Sequence, residues 1–349
     1  MAMLAEHVEV VIGVDTHRDT HTAAVVIAAT GAAVDQATVC TTPVGYAELV
    51  ALADQHSSSR AWSIEATGSF GRGLTRFLLE RGELVVEIER PVRSTRRSGA
   101  KSDPIDAVRA GREALSREHL AEPRAEGHRA VIAVRMTARR SAVEAHTVTQ
   151  RQLHALVITA PERLRTRFIQ CSTTAIVGTA ARLRIDPRWD LETRHHARVM
   201  RDLARRCRAL QAEAKTHEDA IREVIMEWRP DLLEQRGVGP IVAADVLCAW
   251  SHPGRCRNDA AFAALAGVAP LEASSGLTTR HRLSRRGDRQ LNRALHVVAM
   301  SRLLYDPETQ AYAARRRSEG KTDREIKRCL KRYVARQLFR QLENPPITT

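Results

Sequence analysis

Cysteine is scarce and scattered. The six thiols, at Cys40, Cys171, Cys207, Cys248, Cys256 and Cys329, form no CxxC pair and no Cys/His cluster. That excludes a disulfide framework and a structural zinc site, and it points to a reducing cytoplasm. No apolar run approaches the ~18–20 residues of a membrane span, and no basic-then-apolar signal opens the chain. Internal repeats and low-complexity tracts are absent too. Lysine is rare: only five of the 55 basic residues are Lys, the rest Arg. What is present is 349 residues, 43% apolar and 28% charged, about two domains' worth of ordinary globular composition. Wholesale disorder is excluded. The expectation is a soluble intracellular protein.

The charge is unevenly placed. The chain carries a net +14, yet residues 1–89 hold 5 basic against 12 acidic groups. Residues 90–140 hold 13 against 6, and residues 276–349 hold 18 against 7. A codon bias toward Arg explains the Arg/Lys ratio but not this segregation. An acidic head on a basic body fits a metal-binding centre attached to a polyanion-binding surface, with guanidinium forks suited to phosphate.

The first hundred residues alternate strand and helix signals. Val8–Val14, His21–Ala28 and Ala32–Cys40 read as strands joined by short polar connections. Val44–Gln55 reads as a helix, Ala61–Ile64 as a strand, and Phe70–Arg81 as a helix stopped by Gly82 at its C′ position. Leu84–Ile88 makes a fifth strand. Three antiparallel strands, helix, strand, helix, strand is the order of a ribonuclease-H-like mixed sheet; a doubly wound sheet would place a helix after the first strand, and none fits. Residues 90–102 are basic and aperiodic and read as a loop that orders on nucleic acid, with Arg93, Arg96, Arg97 and Lys101 as contacts. A helix should start at Asp103, capped by Ser102 with Pro104 in its first turn. Ala130–Val157 is helical by composition. From Leu203 to Trp228 a heptad register holds, consistent with a coiled-coil or helical-hairpin seam or with one core-facing helix. From about Arg229 the chain is mostly helical and ends in a basic helix, Thr322–Leu342.

Four carboxylates stand out by position. Asp15 directly follows the first strand, Glu65 follows the fourth, and Asp103 and Asp106 lie three apart on one helix face. In a ribonuclease-H-like sheet the first and fourth strands are neighbours, so a helix across their C-terminal ends would gather all four. Like charges gather around a cation, and hard oxygen ligands select Mg²⁺ or Mn²⁺. Two such ions ~4 Å apart can clamp the attacking and leaving oxygens of a phosphodiester. Taken singly, each is equally readable as a surface carboxylate or a helix cap.

The motifs IGVDTH, IEATG and KSDPIDA, followed by GVGPIVAADVL and AGVAPLEASSG…HRLSRRGDRQLNRALH, resemble the DEDD transposases of the bacterial insertion-sequence family one-ten, over roughly residues 8–340. The resemblance implies an N-terminal domain similar to the junction resolvase RuvC, with Asp15, Glu65, Asp103 and Asp106 as its D, E, D and D. It implies a C-terminal domain whose catalytic serine maps to Ser275, in Ser274-Ser275-Gly276. It also implies a bridge RNA that pairs with donor and target DNA. From the residues alone, Ser274-Ser275-Gly276 is as readily a turn, and the doublet leaves Ser274 as the alternative nucleophile. Arg280, Arg282, Arg285, Arg286 and Arg289 follow at once and could stabilise an oxyanion or hold phosphate. Arg236-Gly237-Val238-Gly239-Pro240 resembles the hairpin of a helix-hairpin-helix element, with Gly237 and Gly239 letting backbone N–H groups meet a DNA phosphate; a plain interhelical turn is the alternative. His17 and His21 are read as too poorly placed for a zinc pair.

The expected architecture is a RuvC-like metal-binding domain over residues 1–125, a helical connector over 126–228, a transposase domain over 229–343 and a tail over 344–349. The expected function is a DNA recombinase. In this expectation Ser275 attacks the scissile phosphate and the carboxylates hold two ions. The chain works as a dimer or tetramer in the bacterial cytoplasm at the nucleoid. Since Ser275 lies 169 residues beyond Asp106, the expected site is composite. Two rivals are a junction resolvase using metal-activated water and a non-enzymatic nucleic-acid-binding protein.

Overall fold

A computed structural model describes residues 3–88, 103–272, 281–282 and 287–345. The chain divides into two compact units, residues 1–125 and 126–349.

The first unit is built on five strands: β1 (Val10–Thr16), β2 (Thr20–Ile27), β3 (Ala33–Cys40), β4 (Arg60–Glu65) and β5 (Val85–Ile88). Their order is β3-β2-β1-β4-β5, with β1, β2 and β3 antiparallel and β4 and β5 parallel to β1. The sheet is mixed, as the element order predicts. β1 runs two residues further than the apolar run suggests, because Asp15 and Thr16 still pair with Thr22 and His21. Asp15 therefore lies within the strand rather than after it.

Alternation sorts the strand residues onto two faces. Ile12, Val14, Trp62 and Ile64 pack with Leu49 of α1 (Pro43–Asp54) and Leu74 and Leu78 of α2 (Arg72–Leu79). Val11 and Ala61 pack on the other face with Ala110 and Ala114 of α3 (Asp103–Ser116). Thr42 caps α1 through its side chain, and Gly82, at φ +74°, lets the chain turn after α2.

The second unit is helical. α4 (His128–Thr159) and α7 (Leu191–Trp228) pair antiparallel: His128 stacks on Trp228 at one end, while Leu153 and Val157 share a core with Ala197 and Met200 at the other. The seam is thus a helical hairpin. Helix α7 starts well before Leu203, with Asp190 accepting from Thr193 N as its cap. At the far end α5 (Glu162–Arg165) and α6 (Thr173–Ala181) complete the small core. At the near end Ile132, Met136, Ile221 and Ile225 join a larger core. Its other walls are α8 (Pro240–Trp250), α9 (Asp259–Leu265), α10 (Arg289–Tyr305) and α12 (Asp323–Glu343). Helix α11 (Pro307–Ser318) packs on α10 and α12 through Ala313. A two-stranded ribbon, β6 (Leu271–Glu272) with β7 (His281–Arg282), rises between α9 and α10. Among the described residues no helix is long and apolar enough to cross a membrane.

Candidate metal centre and the two-stranded ribbon

Close packing of helix on sheet places the carboxylates. Gly13 on β1 lies against the backbone of Ala107 and Gly111 on α3, so near that no Cβ fits there. Gly111 in turn sits on Val26 of β2. Ser63 of β4 donates its hydroxyl to the Ala110 carbonyl at 2.8 Å, a buried tie from the neighbouring strand. With α3 pinned at Gly13 and Ser63, its first turn, carrying Asp103 and Asp106, lies over the strand ends that follow. The positive end of a helix dipole also favours carboxylates in that turn. By strand alternation Asp15 and Glu65 share a face with Gly13 and Ser63, toward α3.

The backbone after Glu65 is strained. Ala66 holds φ +59°, a left-handed conformation uncommon for a residue with a Cβ. Its carbonyl accepts from Ser69 N and Gly71 N, and Thr16 Oγ1 donates to the Glu65 carbonyl at 3.1 Å. Gly71 is pressed against Ile64 and Glu65, where a Cβ would come within 2.9 Å of the Ile64 side chain. These contacts fix the turn that aims Glu65, and strain of this kind collects at functional sites.

Among the described residues, the donor atoms of Asp15, His17 and Asp103 all lie within 4.8 Å of one another. His17 Nε2 is 3.3 Å from Asp15 Oδ2 and 3.5 Å from Asp103 Oδ1, bridging strand and helix. Burial pushes the Asp15 carboxyl above its ordinary value; His17 pulls it back, while the charges of Asp103 and Asp106 push it up again. Asp106 is near enough to act on Asp15 but lies outside the three-residue cluster and pairs with Arg109 at 2.8 Å. Glu65 closes β4 next to β1 and is also outside the cluster. The structure therefore brings Asp15 and Asp103 together, with Glu65 and Asp106 flanking. Two carboxylates and one imidazole within this distance could hold a divalent cation.

His17, read from the sequence only as too poorly placed for a zinc pair with His21, instead stands beside Asp15 and Asp103. Its signal was the two-residue step from Asp15, which in a strand that continues past Val14 puts both side chains on one face. His21 does not join it: it is buried in β2, stacks on Tyr46 at 5.8 Å, and its Nδ1 lies 3.0 Å from the Thr20 carbonyl.

In the second unit, Gly237 (φ +84°) sits against Val298 and Ser301 of α10, and Gly239 caps α8 with open space around it. Arg236 pairs with Asp306 at 2.6 Å. Ser274, Ser275, Arg280, Arg285 and Arg286 lie outside the described residues, as do Arg93, Arg96, Arg97 and Lys101. Arg282 contributes its backbone to β7, and Arg289 is exposed at the start of α10, next to the cap Asp288.

The foot of the ribbon is closely tied. Asp288 N donates to the Leu265 carbonyl at 2.6 Å, and Gly287 (φ +104°) lies against Leu265 and Gly267. Asn292 Nδ2 donates to the Ala266 carbonyl at 2.7 Å, and Lys331 Nζ donates to Asn292 Oδ1 at 2.6 Å.

Residues 12–160 match a family model of the DEDD IS110 kind described as Transposase. Residues 230–314 match one described as Transposase IS116/IS110/IS902 family. The insertion element IS110 uncharacterized 43.6 kDa protein of Streptomyces coelicolor is 33% identical over 116 residues, which is 33% of this chain and 29% of that protein. The insertion element IS900 uncharacterized 42 kDa protein of Mycobacterium paratuberculosis is 32% identical over 129 residues, 36% of this chain and 32% of that protein. The chain thus matches about a third of the length of these curated relatives.

Proposed function

The chain belongs to the IS110 transposase family, and from that premise we propose that it cuts and rejoins DNA. The sheet with its α3 lid is read as a RuvC-like metal domain, and the Gly237–Pro240 turn as a helix-hairpin-helix element on a DNA phosphate.

The observation that carries this reading is the convergence of Asp15, His17 and Asp103 within 4.8 Å, in the unit matched by the DEDD family. Asp15, Glu65, Asp103 and Asp106 would hold one or two Mg²⁺ or Mn²⁺ ions, with His17 as a further donor. Bound there, the metal would supply electrophilic stabilisation of a phosphodiester under attack. Ser275 is the nucleophile. Its Oγ forms a bond to phosphorus as the bond to one DNA strand end breaks, and the departing oxygen leaves as a hydroxyl. The hydroxyl of a second strand reverses the step, so the phosphodiester is conserved without ATP. Arg280, Arg282, Arg285, Arg286 and Arg289 supply positive charge to the phosphate, and Arg93, Arg96, Arg97 and Lys101 do so from the first unit. The partners are donor and target DNA and a bridge RNA. The working form is a dimer or tetramer, in the bacterial cytoplasm at the nucleoid.

Asp15→Asn and Glu65→Gln test the reading. Each should abolish strand cleavage at saturating Mg²⁺ while leaving nucleic-acid binding largely intact. Wild-type cleavage in either variant removes the metal assignment. Cleavage by the native chain with no protein–DNA adduct on a denaturing gel would instead favour a resolvase using metal-activated water.

A further inference from the structure

Tyrosine is one of the rarest residues in the chain, with four copies, and three of them lie on the last three helices: Tyr305, Tyr312 and Tyr333. The site described above uses none of them. Tyr312 and Tyr333 meet at 87° with centroids 5.7 Å apart. They line a cleft of about 230 Å³ between α10, α11 and α12, which Arg302 also lines. That is below the ~300 Å³ floor of drug-sized pockets, and it suits one planar ring.

The two tyrosines are differently placed. The guanidiniums of Arg315 and Arg316 lie 5.7 and 6.0 Å from the Tyr312 ring centre, so that ring is already engaged. Tyr333 is 51% exposed. One turn beyond Arg302, Tyr305 is 74% exposed. Both rings are therefore open to a ligand.

The charge around the cleft indicates the occupant. Residues 307–343 carry 11 basic groups against 5 acidic ones. Arg315 and Arg316 share a single carboxylate, Glu319. Asp306, at the cleft's end, is spent on Arg236 and on capping α11 at Thr309. Exposed aromatic faces set among arginines are the chemistry that holds an unstacked base and the phosphates on either side of it. Duplex DNA offers no free base face there.

We propose that the α10–α11–α12 cleft is a stacking site for an unpaired nucleobase of a single-stranded nucleic acid, with Tyr333 as the platform and Tyr312 as its buttress. This deepens the nucleic-acid side of the transposase reading, on which it rests.

The test is fluorescence anisotropy with the full chain in EDTA, using labelled single strands of about a dozen nucleotides, ribose and deoxyribose, and a duplex of the same length. Tyr333→Ala should weaken single-strand binding by about tenfold, with the slope against salt unchanged, because a ring is lost and no phosphate contact is. Tyr333→Trp should keep the affinity, and duplex binding should hold in both variants, which also reports that the fold is intact. Loss on the ribose strand alone assigns the site to RNA, loss on the deoxyribose strand alone to DNA, and loss on both to either strand; each supports the proposal. Unchanged single-strand affinity in Tyr333→Ala overturns it, and so does an equal loss on duplex. Because no strand is cut in this assay, its failure is separate from failure of the proposed recombination chemistry.

Discussion

Gly13→Ala should disable the candidate metal centre without touching any of its ligands. A Cβ at this position would fall well inside 3.0 Å of two backbone atoms of α3, the Ala107 carbonyl oxygen and the Gly111 nitrogen. Backbone cannot swing aside as a side chain can, so the helix must retreat by on the order of 1 Å, and interiors are packed too densely to absorb that freely. The cost should be near 3 kcal/mol, the top of the overpacking range, or roughly 10 °C in the melting temperature of this unit. Displacing Asp103 and Asp106 from Asp15 by that distance should cost about a hundredfold in strand cleavage. Gly111→Ala is the matched control. There the new methyl meets Val26 Cγ2 at 2.9 Å and Cβ at 3.3 Å, a buried β-branched side chain that must shift by a few tenths of an ångström, while replacing a mid-helix glycine returns about 1 kcal/mol. Its losses of stability and activity should be clearly smaller than those of Gly13→Ala. The pair is read by calorimetry and by a cleavage time course. A Gly13→Ala protein that melts within a degree or two of wild type and cuts at its rate would refute the claim that this contact sets the carboxylate geometry.

Ser275→Ala should remove both cleavage and the covalent protein–DNA adduct while complexes still assemble on RNA and DNA, and Ser274→Ala should be far milder; a denaturing gel decides, and an adduct surviving Ser275→Ala rejects the nucleophile. Adduct formation should also fail in Asp103→Asn and Asp106→Asn, read on the same gel. Hydrogen bonding from Arg60 holds the Glu83 carboxyl below its ordinary value of 4.5, with Trp62 also donating to it. A depressed carboxylate stabilises the fold above its unfolded value, and that stability is lost as pH falls through the lower folded value. The native chain should therefore lose melting temperature below about pH 4.5; Glu83→Gln should be less stable at pH 7 and flatter in acid, and parallel pH profiles would exclude the coupling.

The sheet was legible because β-branched runs broken by short polar connections carry their own period. The carboxylates were legible because strand ends and the Asp103-Pro104-Ile105-Asp106 helix start announce themselves locally. What escaped was set by partners distant in sequence. Gly13 looks like any strand glycine until Gly111, nearly a hundred residues on, is laid against it. His17 reads as a turn residue until β1 is seen to extend through Thr16. The heptad register covers the buried Cys207, Ala214 and Ile221 but not the start of α7, where Thr193 is buried beside its cap Asp190 and the small Ala197 joins a core with residues of α6 and the end of α4 rather than a local apolar stripe.

The hydrogen bond from Asp288 to Leu265 makes the chain leave and re-enter the helical unit at one place. Closure entropy is then borne once, and lengthening the arc between the ties adds only about 0.6 kcal/mol per doubling. A change in the number of residues between the two ties should therefore have little effect on whether the rest folds. At Gly287 a single methyl would meet Leu265 O at 2.6 Å and Gly267 N at 2.7 Å. Sequence change should therefore be least tolerated at the ribbon's foot, where backbone meets backbone.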